Sequence, residues 1–286
     1  MTTLSLAHLT LSTTPAQTID AAAAAGFTAV GLRICARRPT ETFAADPILG
    51  HPAAARALRR QAADRGIRLT NVSAYQFYPD VTWDQVAPVI DATAELGIAT
   101  IVVNGFDPDR ARFVPLFARY CAAAAQAGIS IALEFLPYSG VRTMDDAMRI
   151  LDDSGARNVG LLLDALHMDR SGLAPDDIRR IAPDRIAFAQ LCDAYRLQGQ
   201  RSDAELLQEA RTARLPAGEG ELPLFDFLDA LPHGLEVEYE VARSDLAQAS
   251  TLDKARAAFA DASRFMAAYA EHVTGKSAVA GAEAGL

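Results

Sequence analysis

Three times in this chain a helical stretch stops at a glycine and passes at once into an apolar run: Ala25-Gly26-Phe27, Leu96-Gly97-Ile98 and Ala127-Gly128-Ile129. Glycine closes a helix there because it takes the left-handed conformation without a Cβ clash. The apolar runs that follow are too short for helices and rich in Val, Ile and Leu, as strands buried on both faces are. Extended along the chain, this rhythm predicts strands over 4–11, 27–34, 67–72, 98–103, 129–134, 159–164, 185–191 and 235–241. Between them it predicts helices over 15–25, 51–65, 83–96, 110–127, 143–154, 175–181 and 225–231, with a closing helix over 250–272. The stretch 39–50 reads as a loop, and 193–224 as a long polar connection containing a helix near 203–211. Eight strands in strict alternation with helices close most simply into a (β/α)8 TIM barrel, with a doubly wound sheet as the weaker alternative. One barrel domain is expected over 1–275, with a frayed tail of small residues at 276–286.

In such a barrel, chemistry sits at the C-terminal ends of the strands. Ile131-Ala132-Leu133-Glu134 and Leu161-Leu162-Leu163-Asp164 are apolar runs that each end in an acid. A carboxylate closing a buried strand is costly unless something positive meets it. Gln190 and Glu240 occupy the same position on the next two strands. Neighbouring strands lie about 5 Å apart, so the four oxygen donors can converge. Three carboxylates and an amide form a hard site suited to Mn²⁺ or Mg²⁺ rather than to zinc. On the last strand Glu236, Glu238 and Glu240 alternate with apolar residues and face one way. Glu240, nearest the end, is the expected ligand, with Glu238 the alternative.

His167 stands three residues after Asp164, placed to orient a ligand, hold a substrate or move a proton. Arg33 and Asn104 also fall at strand ends, while Arg196 and Arg214 follow the seventh strand; all four are candidate substrate contacts.

The formal net charge of −9 argues against a nucleic-acid partner, which would need a clustered basic surface. No apolar run is long enough to span a membrane, and the first residues do not resemble an export signal. The three unpatterned cysteines fit a reducing compartment, so a cytoplasmic location is expected.

Together, Ala24-Ala25-Gly26-Phe27 with Gly31-Leu32-Arg33-Ile34, Leu133-Glu134-Phe135-Leu136-Pro137, Leu163-Asp164-Ala165-Leu166-His167, Ala189-Gln190-Leu191-Cys192-Asp193-Ala194, Arg214-Leu215-Pro216 with Gly218-Glu219-Gly220, and Glu238-Tyr239-Glu240 resemble the xylose-isomerase-like TIM barrel superfamily. The resemblance, over roughly 4–272, is to its sugar phosphate isomerase/epimerase branch, which also contains family 2 apurinic endonucleases and 3-dehydroshikimate dehydratases. It implies metal ligands at Glu134, Asp164, Gln190 and Glu240, a substrate-contacting histidine at His167 and an arginine at Arg196. It also implies a homo-oligomer, for which Trp83, Phe106, Phe113, Phe117 and Tyr120 are either core or interface.

Gln190 stands where ketose 3-epimerases carry histidine and where 3-dehydroshikimate dehydratases carry glutamine. The five histidines and the lack of an Asp-x-His pair disfavour the three-zinc endonucleases. The expected activity is therefore a metal-dependent isomerase or epimerase acting on a small hydroxylated carbonyl substrate, a keto-sugar or related polyol, through an enediolate. Glu134 and Glu240 would exchange the proton, with His167 holding a substrate hydroxyl. The alternatives are a lyase of the dehydratase type or acting on a 3-keto-glycoside, and a non-catalytic barrel.

Overall fold

A computed structural model describes residues 4–45 and 47–283. Eight strands close a parallel barrel in sequence order: β1 (Leu4–Leu6), β2 (Ala29–Arg33), β3 (Arg68–Ser73), β4 (Thr100–Asn104), β5 (Ser130–Glu134), β6 (Val159–Asp164), β7 (Ile186–Leu191) and β8 (Val237–Tyr239). The helices are α1 (His8–Leu11), α2 (Pro15–Ala25), α3 (Pro52–Asp64), α4 (Trp83–Leu96), α5 (Arg110–Gln126), α6 (Met144–Ser154), α7 (Ala165–Arg170), α8 (Asp203–Thr212), α9 (Leu224–Ala230) and α10 (Thr251–Glu283). Gly26 and Gly97 cap α2 and α4 in the left-handed region, at φ 108° and 72°. None of the described helices is long and apolar enough to cross a membrane.

Several elements differ from the expectation. The first strand ends at Leu6, and His8–Leu11 form a single helical turn instead. The chain turns because the Ala7 amide donates to the Tyr239 carbonyl at 3.0 Å, while Thr10 Oγ1 accepts from the Val241 amide at 3.0 Å. These bonds end the pairing with the three-residue β8, which is itself shorter than 235–241. The stretch near 175–181 is a 3₁₀ helix, Pro175–Arg180, in place of an α-helix. The closing helix continues through Glu283, so the expected tail falls partly on its backbone, and 284–286 lie outside the described residues.

The barrel interior is built in layers, and the pleat explains how. Val102, Ala132, Leu162 and Phe188 form a small apolar cluster of their own, separate from the main core between sheet and helices. Two residues further along each of those strands stand Asn104, Glu134, Asp164 and Gln190. Side chains two apart share a face, so a polar ring lies directly above an apolar plug. Glu236, Glu238 and Glu240 follow the same alternation at three depths. Glu236 pairs with Arg68 at 3.1 Å at the lower end. Glu238 is buried beneath the rim, accepting from Asn71 at 2.8 Å and Gln190 at 2.7 Å. Gly31 makes room for it: a Cβ there would lie 2.3 Å from Glu238 Oε1.

Of the aromatic residues singled out as core or interface, Phe113, Phe117 and Tyr120 are at most 2% exposed and belong to the core. Phe106 stacks on Tyr78 at 4.6 Å, and the Arg119 guanidinium covers Trp83.

The connection after β7 lies over the rim. Asp193 organises it by accepting from the Ala194, Leu222 and Gly218 amides at 2.8–3.0 Å. The α8 helix is held to α7 by a bidentate pair in which Arg170 Nε and Nη2 donate to Glu209 at 2.9 and 2.8 Å. Both side chains are buried. Glu209→Ala leaves that guanidinium without its main partner and is expected to cost about 3 kcal/mol, read by chemical denaturation. Burial pushes the Glu209 carboxyl up, but Arg170 outweighs it and holds the group below the usual carboxylate range. A depressed pKa contributes stability above the unfolded value of about 4.3, and that contribution disappears as pH falls through the folded value. The gap between wild type and Glu209→Ala is therefore expected to narrow below about pH 4.3; a gap that stays constant down to pH 3 would contradict the pairing.

Candidate metal centre

Glu134 closes β5. Its Oε2 accepts from Asn104 Nδ2 at 2.5 Å, and its Oε1 lies 3.7 Å from His167 Nε2. Asp164 closes β6 and caps α7: Oδ1 accepts from the Leu166 and His167 amides at 2.8 and 3.0 Å. That cap fixes the first turn of α7, which in turn fixes His167. One ligand atom each from Glu134, Asp164 and His167 lies within 4.8 Å of the others, and all three residues are buried.

Gln190 and Glu240 complete the ring. Gln190 Nε2 donates to Glu238 at 2.7 Å and to Glu240 at 3.2 Å. Its Oε1 is buried and has no hydrogen-bond partner, as is true of His167 Nδ1. Arg214, from the connection after β7, bridges Asp164 Oδ2 at 2.6 Å and Glu240 Oε2 at 2.8 Å. Its Nε donates to the Ala210 carbonyl at 2.8 Å.

These surroundings set the charges. Burial, reinforced by Glu240 and Asp164, drives the Glu134 carboxyl well above its ordinary range. Burial also raises Glu240, although Arg214 opposes it. Asp164 ends below its ordinary range because Arg214, His167 and the capping amide outweigh burial. Burial lowers His167 to about 4, so its imidazole is neutral at pH 7. At 3.7 Å its contact with Glu134 is then neither an ion pair nor a hydrogen bond. Burial and then Glu240 raise Glu238 to about 8.

A divalent cation fits this donor set. Of the three buried carboxylates Arg214 bridges two, Asp164 and Glu240, and an amide oxygen among them lacks a donor. A cation supplies the missing charge and a partner for the acceptor.

The cleft above is lined by Glu134, Gln190, Glu240, Asn104, His167 and Tyr138, together with Arg33, Arg37, Arg211 and Arg214. About 50 Å³ of it is free, room for a few waters. A sugar-sized ligand must displace side chains there, and the long arginines are the adaptable ones. Of the residues singled out from sequence, Arg33, Asn104, Glu134, His167, Gln190, Arg214 and Glu240 meet at this cleft, with Asp164 buried behind it. Arg196 does not line it; it is exposed, and its backbone amide donates to Glu221 at 2.7 Å. His8, Arg37 and Tyr138 were not picked out. The turn after β1 hid His8, and its Nε2 accepts from Arg33 Nε at 3.0 Å.

The fold has many relatives. Residues 19–270 match the model of the xylose isomerase-like TIM barrel family. A xylose isomerase-like TIM barrel/4-hydroxyphenylpyruvate dioxygenase fusion protein is 22% identical, TM-score 0.73, over 91% of this chain; the match spans only 42% of the fusion protein. The IOLI protein, solved with a binding zinc atom, is 17% identical over 94% of this chain and 99% of its own, TM-score 0.74. A D-psicose 3-epimerase solved in the presence of D-fructose is 17% identical over 91% and 97%, TM-score 0.66. The probable 3-DHS dehydratase AsbF from Bacillus anthracis is 14% identical over 90% and 97%, TM-score 0.67. At these identities the structures speak for the fold alone. No curated protein sequence matches the chain. The family model, spanning most of the chain and all but the first of the barrel strands, identifies it: the chain belongs to the xylose isomerase-like TIM barrel family.

Proposed function

We propose that this protein is a divalent-metal-dependent isomerase or epimerase acting on a keto-sugar or related polyol. The observation that carries the reading is the buried convergence of Glu134, Asp164 and His167 at the C-terminal rim, beside the partnerless Gln190 oxygen. In this reading Glu134, Asp164, Gln190 and Glu240 hold Mn²⁺ or Mg²⁺. When bound, the cation supplies polarisation of the substrate carbonyl and lowers the acidity barrier at the adjacent carbon. The protein's own groups do the rest. Asn104 fixes one oxygen of Glu134 and leaves Oε1 free to take a proton. Glu240, three strands away and held by Arg214, is placed to return a proton from another side. Proton removal from one face and return to the other inverts the carbon, which is epimerisation. His167, neutral and with Nδ1 unpartnered, holds a substrate hydroxyl.

The same histidine supports a second reading. A neutral imidazole is a base: it can take the proton from the carbon beside the carbonyl and, as imidazolium, hand it to the leaving hydroxyl, so that water departs and the reaction is elimination, as in a dehydratase. Incubation of manganese-loaded protein with keto-sugars, keto-glycosides and 3-dehydroshikimate in deuterated water separates the two. Deuterium entering a recovered ketose beside its carbonyl is the expected result. His167→Ala is expected to leave measurable exchange under epimerisation and to stop turnover under elimination. No exchange and no product from any carbonyl substrate would reject both.

A further inference from the structure

The charges of the cleft do not close on the metal centre. Glu134, Asp164 and Glu240 are matched by Arg214 and a divalent cation. Arg33, Arg37 and Arg211 line the same cleft and remain in surplus. The partners of Arg33 are neutral: its Nε donates to His8 at 3.0 Å and its Nη1 to the Ala74 carbonyl at 2.8 Å. Among the described residues no carboxylate lies within ion-pair distance of the Arg37 or Arg211 side chains. All three are half-buried. Burial, then repulsion from Arg37, pushes Arg33 down to about 10, and burial, then Arg211, lowers Arg37. Glu240, the acid that attracts both, is already engaged by Arg214, and Glu41, which also attracts Arg37, accepts instead from the Arg38 amide at 3.3 Å. Half-buried cations that repel one another are costly unless an anion enters among them, and the guanidinium fork is the side chain best suited to carboxylate or phosphate oxygens.

We propose that Arg33, Arg37 and Arg211 form an oxyanion-binding subsite beside the metal centre, and that the substrate is a hydroxylated carbonyl compound carrying a carboxylate or phosphate at the end remote from the reacting carbon. This rests on the metal-dependent carbonyl chemistry proposed above and deepens it. A neutral keto-sugar leaves these cations unmatched. An acid sugar or a sugar phosphate fills both halves of the cleft, with its hydroxyls toward the acids and its anion toward the arginines.

Three ligands that differ only at the remote end test this: D-fructose, D-fructose 6-phosphate and D-fructuronate. Their binding to the manganese-loaded and the metal-free protein is measured by titration calorimetry. At least one anion is expected to bind about tenfold or more tighter than D-fructose, on both forms of the protein, and which anion wins separates phosphate from carboxylate. Arg37→Gln and Arg211→Gln are each expected to reduce that preference several-fold. Equal or undetectable binding of all three ligands would overturn the proposal, as would a preference that survives in both variants, since it would then come from elsewhere. Calorimetry needs no turnover, so the two readings fail separately. Deuterium entering D-fructose without any anion preference removes the subsite and leaves the metal chemistry. An anion preference lost in the arginine variants, without deuterium entering any substrate, keeps the subsite and removes the enolisation.

Discussion

Glu134→Gln and Asp164→Asn are each expected to abolish stoichiometric divalent-metal binding, weakening it by more than about 100-fold, the upper end of the loss when only an outer-shell partner is removed. Each change removes a negative charge from a site whose ligand atoms lie within 4.8 Å of one another. Asparagine can keep accepting at the cap that sets the His167 backbone, so the Asp164 change acts through charge. Manganese titration followed by electron paramagnetic resonance, with elemental analysis of protein purified without chelator, reads the effect. One equivalent of metal retained by both variants would remove these acids from the ligand set. The same titration separates the two glutamates of β8 and its end. Glu238 is tied to Asn71 and Gln190 below the rim and raised to about 8, so Glu238→Gln should retain the metal. Glu240→Gln should lose most of it.

The second large effect belongs to Arg214. Its side chain is 1% exposed and bridges Asp164 and Glu240, themselves 0% and 7% exposed. Arg214→Met removes the guanidinium that bridges two buried acids that raise each other's cost of ionisation. In metal-free protein the expected loss is about 3–5 kcal/mol, or roughly 6–20 °C in the melting temperature at about 2–4 °C per kcal/mol. A cation that binds only the folded state adds stability, and it relieves more in the variant, where no arginine shares the acids. Adding Mn²⁺ should therefore raise the melting temperature of Arg214→Met by more than that of wild type. Equal increments in the two proteins would show that the guanidinium and the metal do not answer the same charges.

Much of the molecule is local in origin and was legible from the residues alone. Gly26, Gly97 and Gly128 mark helix ends because a left-handed cap depends on one residue. The strands that follow are apolar because both their faces are buried. The polar ring was legible for the same reason: Asn104, Glu134, Asp164 and Gln190 each stand two residues beyond an interior apolar residue, and period two places them on its face. The alternation of Glu236, Glu238 and Glu240 likewise showed which way they face.

Depth, partners and the far wall of the cleft were settled only by the tertiary structure. Glu238 and Glu240 differ because β8 pairs with β7 in one register, with Gln190 opposite Glu238, a relation that strand periodicity does not contain. His8 reaches Arg33 because pairing with β8 stops at Leu6 and the chain turns. Arg214 reaches Asp164 across 50 residues, along a connection shaped by Asp193 and by the Arg170–Glu209 pair. Arg37 and Arg211 meet over the rim from the β2 and β7 sides of the barrel. Local sequence encodes which residues share a face, because the backbone period does so. Which charges face one another depends on barrel closure and loop path, where contacts between distant residues decide the energy.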